Sequence, residues 1–175
     1  PVVAAVGDRT ALKVIAGEAS QQNADLHRII PTAGDFRRTN ESTARLAVEL
    51  LDFDIDLDDI ADGLAHDRLP GRTEVMQQEP LVILDGAHNP QKIEALCVWY
   101  AREHPHTHSV VVAGLLESKD ARGMLHALSG IASTLILTEP RIAEKEPAAA
   151  GYLAEIAGEL AFSGPVHVES DPNAA

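Results

Sequence analysis

The segment from residue 81 to residue 90 constrains the fold of this chain more than any other. Its four apolar residues, 81–84, predict a short strand buried on both faces, and Asp85 and Gly86 end that strand at a turn. Asn89 and Pro90 then favour the start of a helix, because asparagine is a good N-cap and proline suits the first helical position. The segment therefore predicts a strand, a tight turn and a helix in direct succession.

A junction of this kind directs backbone N–H groups and the positive end of a helix toward the space beyond the strand. Ligands of open parallel sheets bind in that space. Asp85 and His88 are consequently candidates for contact with a ligand, most naturally a nucleotide. The alternative is that Asp85 caps the turn and His88 covers the helix end, without any ligand.

The rest of the chain alternates between predicted strands and predicted helices. Asn40 is expected to cap a helix over 41–51, and the acidic cluster 54–59 is expected to start a short helix. A calcium loop is disfavoured there, because the required glycine and closing glutamate are missing. Further strands are predicted over 2–6, 26–30, 73–76, 109–113, 133–138 and 165–168, and further helices over 9–22, 148–160 and from 120 to about 129. This alternation predicts an α/β fold with a mostly parallel sheet and helices on both of its faces.

The composition excludes several classes of protein. A net charge of −13 opposes binding to nucleic acid or to an anionic membrane, so neither is expected as a partner. No apolar run approaches the roughly 20 residues of a membrane span and no signal peptide is recognisable, so we expect a cytoplasmic protein. The single cysteine, Cys97, lies on the apolar stripe of its predicted helix and is expected to be a buried hydrophobe rather than a nucleophile.

Both ends of the sequence suggest a fragment. The chain begins at Pro1 without a methionine and enters a strand at once. It closes on Asp171 and Pro172, which are typical of a helix start, yet no helix-length segment follows them. We therefore expect this chain to be part of a longer protein.

Several familiar binding motifs are absent from the sequence. There is no G-x-G-x-x-G fingerprint, no P-loop, no G-x-S-x-G elbow and no paired-cysteine metal site, so no metal is assigned to this chain. His104, His106 and His108 alternate closely enough to bind a metal, but their place between a helix and a strand favours a solvated loop. Polar residues that follow or precede the strands predict an anion-binding cleft at one edge of the sheet: Arg72, Asp85, His88, Lys119, Asp120 and Arg141.

Four motifs in this order resemble one known family. They are Leu-Pro-Gly-Arg-Thr-Glu-Val over 69–75, Asp-Gly-Ala-His-Asn-Pro over 85–90, Ser-Lys-Asp over 118–120, and Pro140-Arg141. The sequence resembles the carboxyl-terminal part of the folylpolyglutamate synthase/dihydrofolate synthase family, which belongs to the Mur ligase superfamily. The resemblance implies that residues 1–34 are the last strand–helix–strand of an amino-terminal ATPase domain and 35–66 an interdomain helical segment. Residues 67–175 would form a Rossmann-like carboxyl-terminal domain that is truncated at its end.

The family implies an ATP-dependent ligase that joins L-glutamate to a folate or a dihydropteroate through an acyl phosphate. By resemblance, Asp85 and His88 are the catalytic residues of this part, and the ATP-binding residues are Asn40, Arg72, Asp85 and His88. The glutamate side would be lined by Lys119, Asp120 and Arg141. The P-loop and the Mg²⁺ ligands would lie in the missing ATPase domain, so the fragment is expected to be inactive alone. Two alternatives are a Mur-type peptidoglycan-precursor ligase and a non-catalytic Rossmann-like module that binds a nucleotide or a protein.

Overall fold

A computed structural model describes residues 1–32, 35–51, 53, 55–66 and 69–175 of this chain. The chain divides into two compact units, Pro1–Leu69 and Pro70–Ala175. The division falls next to the expected boundary at residue 67, which itself lies outside the described residues.

The described residues of the first unit form a small parallel sheet and three helices. Strands β1 (Val2–Ala4) and β2 (Leu26–Arg28) pair in parallel, and helix α1 (Arg9–Gln21) joins them. Helices α2 (Phe36–Glu49) and α3 (Leu57–His66) follow. Asp58 and Asp59 lie in the first turn of α3, where the positive helix end favours carboxylates. The helix expected from the acidic cluster is thus present, although Asp54 of that cluster lies outside the described residues.

The predicted start of α2 at Asn40 is wrong. The helix begins at Phe36, and the side chain of Asp35 accepts a hydrogen bond of 2.9 Å from the Arg38 backbone N–H. Asp35 is as good an N-cap as Asn40 and occurs earlier, and residues 36–39 contain no glycine or proline that would delay the helix. Asn40 consequently lies inside α2, with its side chain exposed.

The second unit opens with an antiparallel hairpin, so the expectation of a parallel, doubly buried strand at 81–84 is also wrong. Strands β3 (Glu74–Gln78) and β4 (Leu81–Leu84) pair antiparallel, with Glu74 opposite Leu84. Two residues separate these strands, and a parallel crossover requires about a dozen or more. Leu84 at the end of β4 is 50% exposed.

A three-stranded parallel sheet forms the rest of the second unit. Its strand order is β5 (Ser109–Gly114), β6 (Ala132–Thr138) and β7 (Val166–Val168). Helix α4 (Pro90–Glu103) precedes β5, while α5 (Ala121–Leu128) and α6 (Ala150–Glu159) connect the three strands. The predicted α/β class with mostly parallel strands is therefore confirmed.

The core of this unit lies between the parallel sheet and its helices. Because the strand order advances in one direction, right-handed crossovers place α5 and α6 on the same face of the sheet. Met124 and Leu153 from these helices pack in one cluster with Leu135 and Leu137 of β6, and each of the four is at most 1% exposed. This packing anchors the loops that follow β5 and β6, which carry several of the predicted site residues.

Candidate functional site: two coupled loops and a neighbouring groove

The Asp85 carboxylate connects the loop after β4 to the turn before β3. Its Oδ2 atom accepts a hydrogen bond of 2.8 Å from the Thr73 backbone N–H, and its Oδ1 atom accepts one of 2.7 Å from the Ala87 N–H. A third bond of 2.7 Å runs from the Gly86 N–H to the Gly71 carbonyl. The two segments therefore form one hydrogen-bonded structure, although they are separated by the whole hairpin in sequence.

The turn that carries Arg72 has an unusual backbone. Gly71 and Thr73 have φ angles of 67° and 43°, and the left-handed region is unfavourable for a β-branched residue such as threonine. The bond from the Thr73 N–H to Asp85 holds this conformation. Arg72 between them is exposed, and no acidic side chain among the described residues forms an ion pair with its guanidinium. The turn thus presents an exposed cation beside the Asp85 loop.

Antiparallel pairing is what brings Arg72 and Asp85 together. Arg72 precedes β3 and Asp85 follows β4, and these two ends are adjacent only when the strands run in opposite directions. In a parallel pair they would lie at opposite edges of the sheet. Arg72 and Asp85 therefore lie at the same end of the hairpin. Their proximity results from antiparallel pairing, which the sequence analysis did not predict.

His88 lies exposed between two polar contacts. Its Nδ1 atom is 2.9 Å from the Gly86 carbonyl oxygen, and its Nε2 atom is 3.3 Å from the Nζ atom of Lys92. Lys92 is a site residue that the sequence reasoning missed. The available signal was its spacing, because residues four apart on a helix face the same side.

The amino-terminal ends of α4 and α5 lie side by side. The Asn89 side chain caps α4 by accepting a bond of 2.9 Å from the Lys92 N–H, and Asp120 caps α5 with a bond of 2.9 Å from the Gly123 N–H. A Cβ atom added at Gly123 would be only 2.9 Å from Cγ of Pro90, so the glycine permits the close approach. Two positive helix ends therefore converge near the Asp85 loop, and such ends favour nearby negative charge.

Lys119 lies in a separate groove of about 410 Å³. One wall is formed by the loop after β5 and the other by the loop that precedes α6, and a bond of 3.0 Å from the Glu117 N–H to the Glu146 carbonyl joins them. The groove carries charges of both signs. Its lining residues are Leu116, Glu117, Ser118, Lys119, Glu144, Lys145 and Glu146.

The other two residues expected with Lys119 do not line this groove. The Asp120 side chain caps α5, and Arg141 forms an ion pair of 3.2 Å with Asp171. The pKa of the Asp171 carboxyl is lowered, chiefly because the backbone N–H of Asn173 donates to it, and Arg141 adds to the effect. Asn40 belongs to the first unit and is exposed on α2.

Further sequence expectations concern parts of the chain outside these loops. His104 ends α4 and packs against the rings of Trp99 and Tyr100, with centroid distances of 5.9 and 5.1 Å. In the part of the chain that the structure describes, no group of three histidine, cysteine, aspartate or glutamate residues is arranged to hold a metal ion.

Burial raises the pKa of the Cys97 thiol to about 11, and the nearby Glu94 carboxylate adds to the rise. Across the described ranges, every helix is too short or too polar to cross a bilayer.

Fold and site together define an α/β domain whose polar loops gather at the ends of its strands. Residues 71–175 match the family model of the glutamate ligase domain of Mur ligases. The chain therefore belongs to the Mur ligase family.

Individual relatives are consistent with that assignment. The chain is 31% identical over 137 residues to a folylpolyglutamate synthase of Lacticaseibacillus casei, an alignment that covers 75% of this chain and 31% of the relative. A Mycobacterium tuberculosis folylpolyglutamate synthase complexed with ADP superposes with a TM-score of 0.84 at 24% identity, over 96% of this chain and 45% of that one. A bifunctional folylpolyglutamate synthase/dihydrofolate synthase with Mn, AMPPNP and L-glutamate bound superposes with a TM-score of 0.75 at 26% identity, over 93% and 43% of the two chains. The chain thus spans less than half the length of these relatives.

Proposed function

We propose that this chain is the carboxyl-terminal part of an ATP-dependent ligase that joins L-glutamate to a folate or a dihydropteroate. The observation that carries the proposal is the coupled pair of loops, in which Asp85 holds the turn that presents the exposed Arg72 guanidinium. Membership in the Mur ligase family and the names of the relatives support the same proposed function. Residues 1–34 and 35–66 would then be the end of the ATPase domain and the interdomain segment.

In this proposal the coupled loops meet the nucleotide. Arg72 and the converging helix ends would neutralise phosphate charge, which a chain with a net charge of −13 can do only through such local groups. Each Asp85 oxygen accepts one N–H and retains a second lone pair, which a ribose hydroxyl could use. His88 would contact the nucleotide or the acyl phosphate, and Asn40 the adenine.

The groove beside these loops would receive L-glutamate. Lys119 and Lys145 offer ammonium groups to its carboxylates, while Glu117, Glu144 and Glu146 offer oxygens to its amino group. Asp120 and Arg141 would support this side indirectly, because their side chains hold the loops around the groove.

The reaction needs both charge neutralisation and exclusion of water. A carboxylate oxygen of the acceptor attacks the γ-phosphorus of ATP and ADP leaves, which gives an acyl phosphate. The glutamate amine then attacks the acyl carbon, phosphate leaves, and the nitrogen loses a proton. Closure of this domain over the nucleotide would keep water from the acyl phosphate. A P-loop and Mg²⁺ ligands would come from the ATPase domain, so the chain alone is proposed to be inactive.

The test is a ligation assay on the longer protein that contains this chain. ATP and L-glutamate are supplied with tetrahydrofolate, dihydropteroate or a UDP-linked muramyl peptide, and the products are identified by mass spectrometry. We expect a pteridine acceptor to be glutamylated. We expect Asp85→Ala and His88→Ala to reduce turnover roughly tenfold or more. A substitution of Lys13, an exposed residue of α1, is the control variant.

Each other outcome has a definite meaning. Reaction of the muramyl peptide alone would assign the chain to a peptidoglycan-precursor ligase. Absence of ligation with every acceptor would favour a non-catalytic module and overturn the proposal. Full activity of both variants would remove the roles assigned to Asp85 and His88.

A further inference from the structure

The contacts of His88 define which of its ring nitrogens carries hydrogen. The Nδ1 atom faces the Gly86 carbonyl oxygen at 2.9 Å, and a carbonyl oxygen can only accept a hydrogen bond. The Nε2 atom faces the Lys92 ammonium at 3.3 Å, and an ammonium group can only donate. Both contacts therefore require the same neutral tautomer, with hydrogen on Nδ1 and a lone pair on Nε2.

The position of Lys92 makes this contact local and well defined. Lys92 follows His88 by four residues, and its backbone N–H is held by the Asn89 cap at 2.9 Å. Among the described residues, no carboxylate forms an ion pair with the Lys92 ammonium. Its side-chain nitrogen lies 3.3 Å from the Nε2 atom of the His88 ring, so the two side chains form one polar pair at the start of α4.

We propose that Lys92 is a positioning residue that holds His88 in the Nδ1–H tautomer. The Nε2 lone pair of His88 then accepts from Lys92, and the N–H donors toward an anion come from the remaining hydrogens of the Lys92 ammonium and from the helix end. The inference deepens the proposed function and rests on it only for its meaning in catalysis. The tautomer itself is a property of the unliganded chain.

The primary test is the tautomer of His88 in the 175-residue chain, measured from the two ring ¹⁵N shifts in long-range ¹H–¹⁵N correlation spectra. His88→Gln identifies the His88 signals among the eight histidines, and spectra at increasing pH locate the neutral ring. We expect mainly Nδ1–H in the parent chain. In Lys92→Met the ratio of Nδ1–H to Nε2–H should fall about fivefold, which corresponds to one ordinary hydrogen bond.

Two variants make this measurement specific. Lys92→Arg retains a cationic donor and should preserve the parent tautomer. Lys13→Met removes the same charge from α1 in the first unit and should change nothing at His88. An unchanged tautomer in Lys92→Met, in a chain whose backbone spectrum shows it folded, would overturn the proposal.

A second arm uses the longer ligase. If Lys92 acts through His88, the double variant Lys92→Met/His88→Ala should lose no more turnover than His88→Ala alone. Multiplied losses would show that Lys92 acts independently and would contradict the positioning role. If the His88 tautomer changes in Lys92→Met but the longer protein has no ligase activity, this inference holds and the proposed function is refuted. The two proposals can therefore fail separately.

Discussion

Removal of the Asp85 carboxylate tests whether this side chain holds the two loops together. Asp85→Ala deletes the acceptors of two backbone N–H groups, those of Thr73 and Ala87, at 2.8 and 2.7 Å. A bond to a charged acceptor contributes about 1.5 kcal/mol, so the two together contribute about 3 kcal/mol. In the variant, Thr73 can leave its unfavourable left-handed conformation, which offsets about 1 kcal/mol of that loss. The expected loss in the free energy of unfolding is therefore about 2 kcal/mol.

Urea unfolding followed by tryptophan fluorescence measures this loss in the right part of the molecule. Trp99 is the single tryptophan of the chain and lies in α4, so its emission reports on the second unit. A loss of about 2 kcal/mol lowers the midpoint by about 1 M urea at the m-values usual for a domain of this size. The matched control is Glu155→Ala, which removes an exposed carboxylate from α6. If both variants changed stability by less than about 0.5 kcal/mol, the coupled-loop reasoning would be refuted.

Further predictions use the same chain. In Gly164→Ala the new Cβ would overlap the Ser133 backbone oxygen, so the unfolding free energy should fall by about 3 kcal/mol. Gly151→Ala in α6 meets nothing within 4 Å and should raise it by about 0.5–1 kcal/mol; the opposite order in urea titrations would contradict the packing. Cys97, with its pKa raised from 9.0 to about 11, should react with iodoacetamide at pH 8 about 100-fold more slowly in the native chain than in urea. Because its folded pKa lies above the unfolded value, its stabilising contribution should be complete below pH 9.0 and decline as the pH rises toward 11 in pH-dependent unfolding. Glu139 accepts from the Ala150 N–H at 3.0 Å at the start of α6, so Glu139→Ala should cost about 1 kcal/mol in thermal melts, and an unchanged melting temperature would show that this cap is dispensable.

Local sequence signals predicted most of the elements and several of the contacts. Asn89 and Pro90 start α4 as expected, since capping and the fixed φ of proline depend on neighbouring residues alone. The alternation of β5, α5, β6, α6 and β7 follows from apolar periodicity in the same way. The start of α2 was missed although Asp35 and Asn40 are both acceptable caps; the signal that favours Asp35 is that it occurs earlier and that residues 36–39 contain no glycine or proline.

Non-local features were not accessible to the same reasoning. The apolar run 81–84 suits an antiparallel hairpin as well as a buried parallel strand, and the short connection to β3 was the signal that separates them. The contact of His88 with Lys92 depends on side-chain conformations, which the helical spacing permits without requiring. The pairing of Arg141 with Asp171 joins two loops that only the parallel sheet brings together.

The direction of one strand determines how the candidate site is assembled. With β3 and β4 antiparallel, the turn that carries Arg72 and the loop that carries Asp85 lie at the same end of the hairpin, and one carboxylate can bond to both. The unfavourable φ of Thr73 is maintained because Asp85 satisfies its N–H, so the conformation of the Arg72 turn depends on Asp85. A role for Asp85 in ligand binding and its role in shaping the turn are therefore linked. Any variant that removes its charge should change the placement of Arg72 together with the contacts that Asp85 itself makes.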